Sequence, residues 1–478
     1  MKQLVLFLTI GVLACGVFCT KESPTTFQSD TESVKAPQTN ASTLAYELIR
    51  QAQWPLEDQV EVPNGLDPSL MKRRPKDRTL EGYLQCEREQ LTHNIAHYTF
   101  KVYVGPTMYD VFALHRVVKE RRVAQPIRTD KTFFYQHGDA KDFAGMTLPG
   151  TLSPNTADDF GIALFLAEHD VDVWGIDQAW TLTPAEISES SFMKDWGLQK
   201  QVDDLKMAMS IARFTRLFTG CGFAPMNLCG YSSGVITGFA LLNEETQMLP
   251  IMRNVAGFIP VDVPVKTDDE DVKEVFRNEY DRVKEMIDAG EYADFIAFSL
   301  VADLARSDPD GDSPLIPGFT NKQVALFFGA GPLYEIIHYH FLAGIWENEF
   351  PTGFEYVTYE QWLDFMAAAP PWEAAQFIAD YCKIITDIED VPFDDYFAQI
   401  QVPIFFVGAA GGMGNWLPYS STQIGSPDIS MHIVQLKSAE EALFDFAHID
   451  LFIAHNAETE AWEPILDWIE SHISHWPS

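Results

Sequence analysis

The sequence predicts an α/β fold: a mostly parallel central sheet with helices on both faces and an inserted helical cap. Three observations point to it. Continuous apolar runs of strand length alternate with amphipathic helical stretches from about Thr99 to Asp262, as strands covered on both faces do. The stretch Asn227–Leu242 reads as strand, tight turn and helix, with Gly230-Tyr231-Ser232-Ser233-Gly234 at the turn. The rhythm then changes to successive helices over residues 264–395, before sheet-like runs resume.

The elements follow in order. Lys2, the apolar run Leu4–Ala14 and Cys15 make a targeting segment too short to span a bilayer, expected to be a signal peptide over residues 1–19. Val12-Leu13-Ala14-Cys15 has the form of a lipobox, which places a lipid on Cys15 and tethers the chain to a bacterial membrane; plain secretion is the other reading. Cys19, preceded by Phe18, suits this less well. Residues 20–42 are polar and Pro-rich and read as a disordered tether. A first part of the core is expected over 43–263, the cap over 264–398 and a second part of the core over 399–478.

Within the core, Phe100–Val104 and Tyr109–Val118 predict a hairpin turning at Gly105-Pro106. Thr132–Gln136 and Val171–Asp177 predict strands, separated by a helix over 158–168. A long helix over Leu198–Phe218 carries Val202, Leu205, Ala208, Met209, Ile211 and Ala212 as its apolar stripe. Val255–Val261 is the strand after the elbow helix. The cap is expected to hold helices over Asp271–Ala289, Asp294–Leu304, Leu333–Leu342, Thr358–Ala368 and from Pro371 to about Ile385. The fourth of these opens on the capping box Thr358-x-x-Gln361. Ile404–Val407 and His432–Leu436 predict the last strands, and Ala461–Ile473 a closing helix.

The charge balance bounds function. With 33 basic against 69 acidic residues the formal net charge is −36, a surface that repels nucleic-acid backbones. Lys72–Arg78 is the one dense basic run and reads as a solvated turn. Cys86, Cys221, Cys229 and Cys382 show no Cys-x-x-Cys spacing, so no zinc site is expected, while export permits one disulfide. Asp308-Pro309-Asp310-Gly311-Asp312 has the glycine one place too early for a calcium loop, and Phe319 stands where the bidentate glutamate belongs. No metal and no cofactor are predicted.

The chemistry-bearing residue is Ser232. A strained strand-to-helix turn lifts its hydroxyl above the sheet edge, and glycines flank it because a Cβ there would strike the neighbouring strand or helix. A serine hydroxyl needs a base, and the base needs an acid to orient it. His448 lies in the loop between the last strand and the closing helix, at the same sheet edge. His455 falls deeper in an apolar segment, while His472 and His475 belong to the tail.

Gln136-His137-Gly138, the run Leu166–Trp174, the elbow and His448-Ile449-Asp450 together resemble the α/β-hydrolase superfamily, nearest its lysosomal and gastric acid-lipase-like branch, over roughly residues 100–262 and 400–475. That branch usually carries histidine where Tyr231 stands. The resemblance implies an α/β-hydrolase fold and a Ser–Asp–His triad, with an oxyanion hole formed by the backbone N–H groups of Asp139 and Ser233. It also places the acid just past Ile404–Val407, where this chain has Gly408–Asn415 and no carboxylate. Asp262, at the end of the strand after the elbow helix, is the first candidate; Asp428 before the last strand and the carboxamide of Asn415 are the others.

The expectation is an exported serine hydrolase acting on a small-molecule ester or lipid, a carboxylesterase or lipase. A peptidase, thioesterase or acyltransferase on the same scaffold and a non-catalytic binding protein are the alternatives.

Overall fold

Among the described residues one ten-stranded sheet organises the chain, with nine strands along its main path: β1 (Leu84–Gln90), β2 (Ile95–Tyr103), β3 (Val111–Arg122), β4 (Thr132–Gln136), β5 (Asp172–Asp177), β6 (Met226–Tyr231), β7 (Val255–Val261), β8 (Ile404–Ala409) and β9 (Ile429–Val434). The computed structural model describes residues 40–474 apart from 58–59, 61–62, 68–83, 106 and 335–336. The signal peptide, Cys15, Cys19, nearly all of the tether, Pro106, the basic run and His475 lie outside the described residues. The spatial order is β1-β2-β3-β5-β4-β6-β7-β8-β9, with Gln125–Pro126 appended to β3. The pairs from β1 to β5 are antiparallel, and those from β5 through β4, β6, β7 and β8 to β9 are parallel.

The parallel strands β4, β5, β6 and β8 are buried at every residue, whereas edge strand β1 alternates. Side chains alternate between faces along each strand. Phe134, Leu228, Phe258 and Phe406 therefore join one apolar cluster, and Phe133, Cys229, Ile259 and Val407 the other. On the first face lie α1 (Ala41–Ala52), α3 (Leu198–Phe218) and α4 (Gly234–Thr246), with α2 (Ile162–Glu168) on the second. Each fully buried Phe or Leu contributes about 1.5–3 kcal/mol. Asn40 caps α1 by accepting from Thr43 N at 3.0 Å, so the helix takes in Ala41 and Ser42, the last two residues of the expected tether.

The segment 264–398 holds α5 (Glu270–Asp288), α6 (Phe298–Ser307), α7 (Asn321–Ala330), α8 (Tyr359–Ala367) and α9 (Ala375–Thr386), and α10 (Glu463–Ser471) closes the fold. The expected capping box at Thr358 and Gln361 forms, and α7 has an unforeseen second one at Thr320 and Gln323.

Three expectations for the segment are corrected. Ala293–Phe295 and Trp372–Ala374 pair as antiparallel strands, so α6 and α9 start later than their sequences suggest. Gly344–Glu347 and Phe350–Phe354 form a second such pair. The described part of Leu333–Leu342 is not helical, because its backbone bonds to other segments: His340 N to Gly411 O at 3.3 Å, Phe341 N to Gly329 O at 3.2 Å, and Phe341 O from Ile449 N at 2.8 Å. Asp308 closes a turn, accepting from Gly311 N at 3.2 Å. The cysteines Cys86, Cys221, Cys229 and Cys382 are all free thiols, so the permitted disulfide does not form among them. No helix among the described residues is long and apolar enough to cross a membrane.

Candidate active site

The turn after β6 puts Ser232 in the left-handed region, at φ 54°. That conformation costs a non-glycine residue about 1–2 kcal/mol, and here Ser232 N donates to Val261 O at 3.1 Å and helix α4 starts at once. A Cβ on Gly234 would come within 2.5 Å of the Gln136 and His137 carbonyl oxygens, which is why the elbow needs glycine there. Ser232 remains partly exposed while Ser233 is buried.

The next strand repeats the device. Asp262, directly after β7, has φ 58° and is fully buried. Its Oδ1 accepts from Ala409 N at 2.8 Å and its Oδ2 from Met413 N at 3.2 Å. The glycine run 411–414 allows this approach, since a Cβ on Gly412 would lie 2.1 Å from Asp262 Oδ2. His448 Nδ1 is 2.7 Å from the same Oδ2.

The other acid candidates lie elsewhere. Asp428 faces His472, with Oδ2 3.3 Å from Nε2, and exposed Asn415 donates to Ala410 O at 3.4 Å. His455 is exposed against Tyr356 O, not embedded in apolar surroundings.

The loop holding His448 is built by groups to which the sequence reading assigned no role. Asp450 accepts from Ala447 N at 3.0 Å and from Ala343 N at 2.7 Å, and burial pushes its carboxyl up to about 7. Tyr231 stacks on the His448 ring at 4.6 Å between centroids and donates to the His448 carbonyl at 3.2 Å. The elbow's second residue thus carries the histidine loop. Tyr339 and Phe341 complete the aromatic wall around His448, at 5.3 and 6.4 Å.

Across from them runs the turn after β4. A Cβ on Gly138 would sit 2.4 Å from Ser232 Cβ, so glycine lets this turn lie against the elbow. Buried His137 has its pKa lowered by desolvation, which keeps it neutral. Its Nε2 accepts from Gln178 N at 3.0 Å, leaving Nδ1–H to donate to Gly138 O at 2.8 Å. Holding that carbonyl fixes the planar peptide Gly138–Asp139, and so the opposite aim of the Asp139 N–H. Among the described residues no acceptor takes the N–H of Asp139 or of Ser233. The Ser233 hydroxyl donates to Asp139 Oδ1, joining the two residues that carry these free donors.

The site therefore brings together a strained serine, an imidazole bonded to a buried carboxylate, and two uncommitted backbone donors. No group of three or more His, Cys, Asp or Glu among the described residues is placed to hold a metal ion.

No family model and no curated protein matches the sequence. Solved structures do match. A candidate lipase from Sulfolobus solfataricus superposes with a TM-score of 0.54 at 15% identity, over 81% of this chain and 99% of that one. A soluble variant of monoglyceride lipase from Saccharomyces cerevisiae reaches 0.42 at 10% identity, over 88% and 99%. An esterase from Thermogutta terrifontis reaches 0.37 at 11% identity, over 78% and 99%. The last two scores are too low to bear on the fold. With the sheet order and the first superposition, the chain has the α/β-hydrolase fold.

Proposed function

We propose that this chain is an exported serine hydrolase that cleaves carboxylic esters, a carboxylesterase or lipase. The observation that carries the reading is the 2.7 Å contact between His448 Nδ1 and buried Asp262, which follows the strand beside the one that leads into Ser232. Nδ1 is engaged by the carboxylate, so Nε2 is the nitrogen left to act as base. Ser232 Oγ attacks the ester carbonyl and its proton passes to His448 Nε2. The tetrahedral oxyanion is held by the N–H groups of Asp139 and Ser233, each such donor being worth about 3 kcal/mol of barrier. His448 returns the proton to the leaving alcohol, and water, activated by the same base, releases the acid. The aromatic rings of Tyr339 and Phe341 at His448 favour an apolar acyl or alcohol group over a charged peptide. The leader and its lipobox support export, with Cys15 as the lipid acceptor; the mass of the mature N-terminus tests this.

Wild-type protein is expected to hydrolyse p-nitrophenyl esters and to be labelled at Ser232 by a fluorophosphonate, and Ser232→Ala to lose both. Retained turnover in Ser232→Ala would sink the mechanism.

A further inference from the structure

Near Asp139 lies an acidic group that the triad does not use. Glu373, in the short strand Trp372–Ala374, is 5% exposed, and its Oε1 has no hydrogen-bond partner. Among its charged neighbours Asp139 acts on it most strongly. Asp139 already accepts from the Ser233 hydroxyl and, at 3.5 Å, from the Tyr381 hydroxyl on α9. Two carboxylates in contact cannot both be ionised, since neither has a hydrogen to donate and their charges repel. Ser233 and Tyr381 already donate to Asp139. Glu373 has no such donor, so the shared proton belongs on Glu373.

We propose that Glu373 is a positioning residue for the oxyanion hole: its carboxyl O–H donates to Asp139 and holds that residue, and through it Ser233, with both backbone N–H groups aimed at the reacting carbonyl. This deepens the esterase reading and rests on it. Asp139 then receives three hydrogen bonds, from Ser233, Tyr381 and Glu373, which join the elbow, α9 and the strand Trp372–Ala374 at one carboxylate. Removing the proton sets two anions against each other, and the turn that presents Asp139 N–H moves.

The surroundings keep the proton in place. Burial is the largest influence raising the Glu373 pKa well above the usual carboxylate range, followed by the charge and hydrogen bond of Asp139 and then by Asp294 and Glu279. Asp294 comes from the paired strand Ala293–Phe295 and Glu279 from α5. Both are already bonded to Arg282, at 2.6 and 2.5 Å, so that cation is committed to them. From α9, Tyr381 and Cys382 face the pair as neutral groups, burial raising the pKa of each well above its ordinary value. The turn Ala179–Leu182 brings no ionisable side chain. Because the folded-state pKa is raised, the working form is complete at low pH and is lost as pH rises through that value.

The test compares wild type, Glu373→Gln and Glu373→Ala in full-length protein, after fluorophosphonate labelling has established Ser232 as the nucleophile. Glu373→Ala is expected to lower kcat about tenfold with little change in KM, a misaimed donor costing less than the hundredfold or more of a deleted one. Glu373→Gln, whose amide N–H still donates to Asp139, is expected to restore most of kcat and to lack the alkaline fall shown by wild type. The infrared difference spectrum, wild type minus Glu373→Gln, should carry the band of a protonated buried carboxyl, from which Asp450 and other unchanged groups cancel, and that band should be lost over the pH range of the fall. If Glu373→Ala does not fold, the isosteric Glu373→Gln alone decides through its pH profile and band. Coincident pH profiles for wild type and Glu373→Gln, or a wild type without the band, overturn the proposal while leaving the triad intact. An unlabelled Ser232 overturns the esterase reading and this role with it.

Discussion

Two buried carboxyl groups at opposite ends of the sheet are treated in opposite ways. Asp172 opens β5 at the amino end and is gripped by two guanidinium groups: Arg116 Nε at 2.8 Å and Arg216 Nη1 at 2.5 Å. Burial alone would raise its pKa, but the two arginines outweigh that and hold it below the ordinary value. Glu373, near Asp139 at the carboxyl end, is raised first by burial and then by neighbouring carboxylates, with no cation to outweigh them. The first arrangement fixes one ionic state and serves folding. The second leaves a proton that pH can remove, next to the atoms proposed to react. Buried charge at full compensation is architecture, and buried charge short of it marks the working end of the sheet.

Four experiments break or sharpen that contrast, and Asp262 has the largest expected effect. Asp262→Asn should lower kcat on the order of 10⁴-fold, because the amide holds the wrong imidazole tautomer, with the native fold kept by circular dichroism. Asp172→Ala should instead strike stability, by about 3–5 kcal/mol in urea denaturation, because it leaves Arg116 and Arg216 buried without their anion. Equal losses of kcat per folded molecule in these two variants would erase the distinction between the ends.

The pH dependence of stability has opposite sign at the two sites. The Asp172 contribution is complete above its unfolded value and is lost as pH falls below about 4. The cost of burying Glu373 is absent below about 4.5 and grows as pH rises towards its folded value. Melting temperatures should therefore show wild type losing stability relative to Glu373→Gln with rising pH, and a pH-independent gap would contradict this. The smallest effect belongs to Tyr381→Phe. It removes a long hydrogen bond to Asp139, at 3.5 Å, and should cost kcat no more than about fivefold, roughly the 1 kcal/mol of one neutral hydrogen bond.

Much of the sheet was legible because buried parallel strands leave a plain signature: β4, β5, β6 and β8 are mostly apolar and buried at every residue. The elbow was legible because its glycines answer to steric contacts that any sequence must respect. The segment 264–398 was read less well. Leu333–Leu342 has helix-compatible residues, yet its backbone bonds are taken by Gly329 just ahead of it and by Gly411 and Ile449 far along the chain. Trp372–Ala374 looked like the start of a helix, but pairing with Ala293–Phe295 and the edge contact of Trp372 on Phe295 at 5.6 Å claim it for a strand. Choosing among Asp262, Asp428 and Asn415 needed distances, because nothing local marks a carboxylate that works through a residue 186 positions on. Tyr231, Glu373, Tyr381 and Asp450 had no signature, since each matters only through a partner brought in from another segment.

The matched left-handed turns at Ser232 and Asp262 have a consequence for how this protein can diverge. Tyr231 and Val261 are register partners on β6 and β7, so the two residues that follow them leave the sheet side by side, about one strand spacing apart. The separation of proposed nucleophile and acid is thus set by backbone hydrogen bonding between neighbouring strands, not by the length of any loop. Insertions and deletions in the long segment between β7 and β8 leave that separation untouched. Such a chain can exchange the walls of its substrate pocket over evolutionary time while its reactive core stays in register.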